Sequence, residues 1–344
     1  MTLHSVRRRG LRASAIAVVL AVVSALVGCT GPAAAPAASG GSLRPVTLML
    51  NWTPNAHHAG IYYAKAHGLY EQAGIDLTIL EPGDGVGAEV AVAQHRADFG
   101  ISHAEAMLPA RAQGMGIEAI ATILPVNDSV LMGLDTSGLT TELGSLEGRT
   151  YGGFGGPLET ALIKRLATCG GANPDSIEFI EIGNVDYLAG LEQGRFDVVW
   201  VFGGWDALRA QTQNASVVTL PLADHTDCIP DWYTPIIIGN SDALDADPAL
   251  ARAFLAATEE GYQAVIASPD AGAEALMAAA PELDEGLVRD AVAYYAPRFA
   301  PDGTFGPMRE SVWTEFTAFL VEAGLLTDAA PVRDAWSNDY LPKR

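Results

Sequence analysis

The sequence predicts a two-lobed α/β protein, and three features of its 344 residues carry that expectation. Strand-length apolar runs alternate with helically spaced segments over residues 45–128. The same alternation starts again and runs over 129–238, and the chain from 239 to 344 is mostly helical and alanine-rich. Repeated β-α units imply parallel sheets with helices on both faces. Two such series followed by a helical return form the layout of a clamshell whose lobes are joined by two crossings.

Taken in order, residues 1–28 read as a secretory signal: Arg7, Arg8, Arg9 and Arg12 precede an apolar run, 15–27, too short for a confident membrane span. The segment ends Leu26-Val27-Gly28-Cys29 and resembles the bacterial lipobox, which implies cleavage before Cys29 and diacylglycerol on its sulfur. Lipid there would hold the protein at the membrane face. Residues 29–44 form a low-complexity tether rich in Ala, Gly and Pro, with no capacity to build a core.

In the first series, 46–50 is a strand broken at Pro54, and helical spacing resumes through Ile61, Ala64 and Leu69. Strand 76–81, helix 86–96, strand 99–102, helix 105–113 and strand 117–124 follow. The second series has strands at 130–134 and 149–153 and a helix at 158–169, ended by Gly170-Gly171. Strands 177–182 and 197–202 then flank helix 185–193, before strands 217–220 and 234–239. Beyond Pro248 helices are expected to about residue 325, broken at Pro269, Pro281 and Pro301. Residues 127–130 and 233–239 are the candidate hinges.

A formal charge of −21 argues against nucleic acid, whose phosphates need cationic partners, and against adsorption to anionic lipid. Loss of the signal removes four of 20 basic side chains and none of the 41 acidic ones. Cys169 and Cys228 then remain, and either a disulfide or two buried thiols is compatible with the sequence.

Candidate site residues cluster at expected strand ends, where open α/β sheets bind ligands. The turn after the first strand holds Asn51, Trp52, Asn55, His57 and His58: amide, indole and imidazole groups suited to a small, flat, polar molecule. Tyr151-Gly-Gly-Phe-Gly-Gly-Pro-Leu-Glu159 joins strand to helix, its glycines letting a ligand approach backbone N–H groups while Phe154 and Glu159 add a ring face and a carboxylate. Trp200-Val-Phe-Gly-Gly-Trp205-Asp206 sets a carboxylate beside aromatic rings, and Trp232 or Tyr233 could face the same cleft. Gly83-Asp-Gly-Val-Gly-Ala88 opens a helix but lacks the dinucleotide fingerprint. Adjacent His57 and His58 project about 100° apart on a helix, so only one should face the ligand. Metal-ligand spacing is absent, as are a P-loop, a nucleophile elbow and an H-E-x-x-H motif.

Leu50-Asn-Trp-Thr-Pro-Asn with His58, Ala64-Lys-Ala-His-Gly-Leu-Tyr70, the 151–159 motif and Gly204-Trp-Asp206 together resemble the thiamine-pyrimidine family over most of 46–325. That family comprises solute-binding proteins of ABC importers for thiamine pyrimidine precursors, and thiamine pyrimidine synthases that consume a histidine and pyridoxal phosphate held on a lysine, with iron and a cysteine cluster. The resemblance implies an α/β fold of the two-lobed type II periplasmic binding protein class, with two hinge strands. Where the synthases carry the lysine and histidine, this chain has Ser102 and Ala106, with His103 out of register; Cys228 stands alone where the cysteine cluster is expected. The reading is therefore a non-enzymatic, monomeric lipoprotein on the extracytoplasmic face, with no cofactor or metal. It would capture an aminomethylpyrimidine-type precursor or related nitrogen heterocycle for an ABC permease. The expected ligand-binding residues are Asn51, Trp52, His58, Ser102, Glu105, Phe154, Glu159, Trp205, Asp206 and Tyr233. Binding members often carry Glu where Asp206 stands, which leaves riboflavin-like ligands open. The remaining alternatives are the synthase and an alkanesulfonate-binding protein, whose ligand would want cationic contacts that the motifs do not supply.

Overall fold

The computed structural model describes residues 42–83, 86–183 and 185–343. The signal segment, Cys29 and most of the tether lie outside them, as do Asp84 and Gly85 of the glycine-rich turn. Ser42–Arg344 is one compact unit. Its first strand begins at Arg44, the last residue assigned to the tether, where the guanidinium pairs with Asp247.

The first series is β1 (Arg44–Met49), α1 (Ala59–Ala66), α2 (Leu69–Gln72), β2 (Ile75–Leu80), α3 (Ala88–Ala93), β3 (Phe99–Ser102), α4 (Ala104–Ala112) and β4 (Ile117–Thr122). The second is β5 (Ser129–Leu134), β6 (Thr150–Gly153), α5 (Pro157–Cys169), β7 (Glu178–Glu181), α6 (Tyr187–Glu192), β8 (Val198–Phe202), α7 (Leu208–Thr212) and β9 (Val217–Pro221). The return is β10 (Ile236–Asn240) followed by α8 (Ser241–Ala246), α9 (Pro248–Ala267), α10 (Pro269–Ala279), α11 (Glu285–Phe299) and α12 (Glu310–Glu322). Pro269 starts α10, and Pro281 and Pro301 stand between helices, so the three expected breaks coincide with helix boundaries.

Two five-stranded sheets result, ordered β2-β1-β3-β10-β4 and β7-β6-β8-β5-β9. Both are mixed, because β10 runs antiparallel to β3 and β4, and β5 antiparallel to β8 and β9. These two are the strands that enter each lobe from the other. All five residues of β10 are buried in the first sheet. The return crossing is therefore complete before Ile236, and residues 236–238 belong to the first lobe rather than the second.

That crossing is packed in core: Trp232 stacks on Phe316 with centroids 5.1 Å apart, and Tyr233 leans on Trp313. Elsewhere, α1 and α9 meet through glycines. A Cβ on Gly261 would lie 2.2 Å from the Gly60 carbonyl oxygen, and one on Gly60 would strike the Tyr262 ring. The Tyr262 hydroxyl donates to the His57 carbonyl at 2.6 Å, so this close approach anchors the turn after β1. A disulfide joins Cys169, at the end of α5, to Cys228.

Candidate functional site

A cleft of about 1110 Å³ lies between the lobes, at the carboxyl ends of β1, β3, β6 and β8. The first lobe contributes Asn51, Trp52 and His57 from the turn after β1, with His103 and Glu105 from the start of α4. The second contributes Phe154 and Glu159 around the start of α5, Trp200 and Phe202 from β8, and Trp205, Asp206 and Arg209 beyond it. Glu282, Asp284 and Asp290 close one end from α11 and the loop before it.

The turn after β1 is built by its own capping. Asn55 Oδ1 accepts from the His57 N–H at 3.0 Å, and the Asn55 N–H donates to His58 Nδ1 at 3.3 Å, a reciprocal capping box. His58 is thereby turned inward and fully buried, with its Nε2 against Asn51 Oδ1 at 2.9 Å. Burial holds its pKa down at about 3. His58, expected to meet the ligand, stands behind Asn51, and its neighbour His57 lines the cleft. The His57 ring packs between Phe202 and Tyr295, and its buried Nε2 has no hydrogen-bond partner among the described residues. Desolvation keeps it neutral.

Ser102 and Tyr233 also lie outside the cleft. Ser102 is buried on β3 and donates to Glu89, whereas the Tyr233 hydroxyl accepts from the Arg309 N–H at 2.7 Å. Both positions belong to continuous buried apolar segments, where sequence pattern does not tell the cleft side from the core side. Trp232 is likewise core, and it is Trp200 that reaches the cleft, edge-on to Trp232 at 5.9 Å.

Glu159 lines the cleft, but its carboxylate is engaged by its own loop. It accepts from the Phe154 N–H at 2.9 Å, the Gly156 N–H at 3.1 Å and the Tyr151 hydroxyl at 3.0 Å. Gly155 takes a positive φ of 76° in this loop. The loop presents Phe154 outward, where its ring meets Trp52 of the other lobe.

Two other cleft carboxyls, Asp206 and Glu105, are not gathered in by a loop in this way. Asp206, in the π-helical turn Gly203–Ala207, has its own backbone N–H as a hydrogen-bond partner. Burial pushes its pKa up to about 6, against the pull of Arg209. Glu105 on the facing lobe is raised in pKa by burial, and its Oε2 has no partner in hydrogen-bond geometry. His103 when protonated, the Glu105 backbone N–H and the Trp232 indole oppose that rise, but Trp232 Nε1 also lacks a partner in hydrogen-bond geometry. Buried carboxyls short of hydrogen-bond partners carry a desolvation cost that a ligand N–H can offset.

Sequence reading gave no ligand role to His103 or Arg209, and took in Trp200 and Phe202 only as part of the 200–206 motif. Trp200 and Phe202 are two residues apart on β8, so strand alternation already placed them on one face. Arg209 is the cationic group absent from the motifs, and it is held by Asp186 at 2.6 Å. Among the described residues no cluster of His, Cys, Asp and Glu is arranged to hold a metal ion, and no lysine lines the cleft.

The profile of the family described as NMT1/THI5 like matches residues 55–272. The formylaminopyrimidine-binding protein of Halalkalibacterium halodurans is 21% identical over 307 residues, covering 86% of this chain and 91% of that protein. The 4-amino-5-hydroxymethyl-2-methylpyrimidine phosphate synthase of Legionella pneumophila is 26% identical over 297 residues, 86% and 92% of the two chains. The riboflavin-binding protein RibY of Chloroflexus aurantiacus is 25% identical over 335 residues, 91% and 92%. Among solved structures, the periplasmic aliphatic sulphonate binding protein SsuA of Escherichia coli superposes with a TM-score of 0.66 at 15% identity, over 87% of this chain and 94% of that one. That likeness shows the shared two-lobed type II fold.

Proposed function

The chain belongs to the NMT1/THI5-like family, and from that premise we propose that it is the substrate-binding lipoprotein of an ABC importer for a thiamine pyrimidine precursor. The observation that carries this reading is a pair of carboxyls on facing lobes, Glu105 with its Oε2 unpartnered and Asp206 with its pKa raised by burial, in a cleft lined by Trp52, Phe154, Trp200 and Trp205. A planar aminopyrimidine supplies both of the complementary features, ring faces and N–H donors. Lobe closure follows if the ligand touches both walls only in the closed state, since differential contact is what shifts such an equilibrium. The lipobox-like Leu26–Cys29 segment supports an extracytoplasmic chain anchored at Cys29, and the name of the formylaminopyrimidine-binding relative agrees with the role.

The absence of lysine from the described cleft lining favours binding over synthase chemistry, which needs an amine to hold pyridoxal phosphate. Lys65, on α1, instead donates to the Leu77 carbonyl. A flavin is the second reading. The cleft exceeds the usual ~300–1,000 Å³ of small-molecule sites, and RibY is a relative over nearly its whole length.

Calorimetric titration with aminopyrimidines, riboflavin and alkanesulfonates tests the proposal. Micromolar or tighter binding of an aminopyrimidine is expected. Saturation by sulfonates alone defeats the heterocycle reading. An aldimine absorbance or a pyrimidine product after incubation with pyridoxal phosphate and iron defeats the non-enzymatic one.

A further inference from the structure

We infer that His103 is a specificity-determining residue, held as the neutral Nδ1–H tautomer by a relay through Asn51 and His58, so that it offers the ligand a hydrogen-bond donor. This rests on the reading of the cleft as a heterocycle site and adds to it the polarity of one wall.

The relay starts in the backbone. The Asn55 N–H can only donate, so the His58 Nδ1 it meets at 3.3 Å must be the unprotonated nitrogen. Full burial keeps that ring neutral, and its proton therefore sits on Nε2. His58 Nε2–H needs an acceptor, and the atom 2.9 Å away is Asn51 Oδ1. The amide orientation of Asn51 thus follows from the capping box and does not depend on telling nitrogen from oxygen in the side chain. With Oδ1 committed to His58, Asn51 Nδ2 points at His103 Nε2, 2.8 Å away. An amide NH₂ only donates, so His103 Nε2 accepts and the remaining proton is on Nδ1. His103 lines the cleft, and its Nδ1 makes no hydrogen bond within the described residues.

Two residues further on, Glu105 adds the opposite polarity: a half-buried side chain in the same wall, with its buried Oε2 unpartnered. The wall therefore asks for a ligand with both an acceptor, such as a ring nitrogen or carbonyl oxygen, and an N–H donor. Sites built around such buried groups reject analogues that leave them unpaired far more strongly than apolar pockets reject an extra methylene. Asn51 and His58 act through His103 and are positioning residues.

The test is long-range ¹H–¹⁵N NMR of the full mature chain labelled at histidine, at pH 8, with and without 4-amino-5-hydroxymethyl-2-methylpyrimidine. His58 is expected as Nε2–H and His103 as Nδ1–H before ligand is added. Ligand should move the His103 Nδ1–H resonance downfield and slow its exchange. In His58→Phe the His103 proton should redistribute toward Nε2, and His103→Phe should weaken binding at least tenfold. An Nε2–H His103 in the unliganded wild-type protein overturns the inference whether or not His58→Phe folds, as does wild-type affinity in His103→Phe. If the wild-type protein binds no aminopyrimidine, the proposed function fails, while the tautomer measurement still decides whether the relay exists.

Discussion

Trp52 and Phe154 meet edge to face with ring centroids 6.4 Å apart, although one follows β1 in the first lobe and the other precedes α5 in the second. They are also exposed, at 40% and 51%, which is unusual for rings of this size and marks them as the mouth of the cleft.

Replacing either ring by alanine should weaken binding of an aromatic ligand about three- to tenfold, from roughly 0.5–1.5 kcal/mol per ring pair. Because both rings face solvent, the thermal midpoint of the free protein should hardly change. Calorimetric titration of both variants decides the matter: unchanged affinity in each removes the rings from the ligand contact. The double variant should lose less than the sum, since the two rings contact one another.

Asp128 ties the lobes together behind the cleft. Its carboxylate accepts from the Tyr294 and Tyr295 hydroxyls of α11 at 2.6 and 2.7 Å, and from the Gly204 N–H of the second lobe at 2.8 Å. A Cβ on Gly204 would collide with both tyrosine rings, so the turn and helix are in direct contact. Hydrogen bonds to a charged group contribute about 1.5–3 kcal/mol each. Tyr294→Phe with Tyr295→Phe should therefore loosen the lobe contact. Spin-label distances between residues 71 and 192 should broaden or lengthen in the unliganded variant. An unaltered distance distribution there would show that other contacts hold the lobes.

Much of this layout was legible in the sequence because buried strands and glycine breaks are local signals. Residues 99–102 and the three proline breaks are where the pattern put them. Strand direction was not legible: the apolar run at β10 reads the same whether it runs parallel or antiparallel to β3. At the site, the turn motifs located Trp52, Phe154, Trp205 and Asp206, whereas the choice between His57 and His58 depended on a capping box closed by Asn55. Glu159 shows the same limit. A carboxylate beside a glycine-rich turn reads as a ligand group, but whether the turn's own N–H groups take it up is decided only by the folded geometry. The pairing of Cys169 with Cys228 likewise needs residues 59 apart in sequence to be placed in space.

That disulfide closes a long loop, and the chain-entropy account gives a stabilisation of roughly 3–5 kcal/mol for loops of this size. Cys169→Ala with Cys228→Ala should lower the urea midpoint accordingly. Ligand affinity should stay within about twofold, because Cys169 ends α5 and the cleft residues lie at its start, ~20 Å away along a 13-residue helix. A large loss of affinity at unchanged stability would reverse the assignment of this bridge to stability alone.

Asp206 makes both stability and binding depend on pH, and the two effects have opposite signs. Its folded pKa of about 6 lies above the unfolded 3.8, so between these values the native state holds more protons than the unfolded chain. Stability from this group therefore falls as pH rises from about 4 to 6, then stays low. Asp206→Asn should relieve the deficit above pH 6, by on the order of 2–3 kcal/mol at most. A neutral ligand donating N–H to this carboxylate favours the ionised form. Binding near pH 6 should then release about half a proton and strengthen with pH up to that point. Calorimetry at pH 6 in two buffers of different ionisation heat counts that proton, and Asp206→Asn should remove it, leaving any residue to Glu105. Proton uptake, or release that survives the substitution intact, would mean that Asp206 does not meet a ligand N–H.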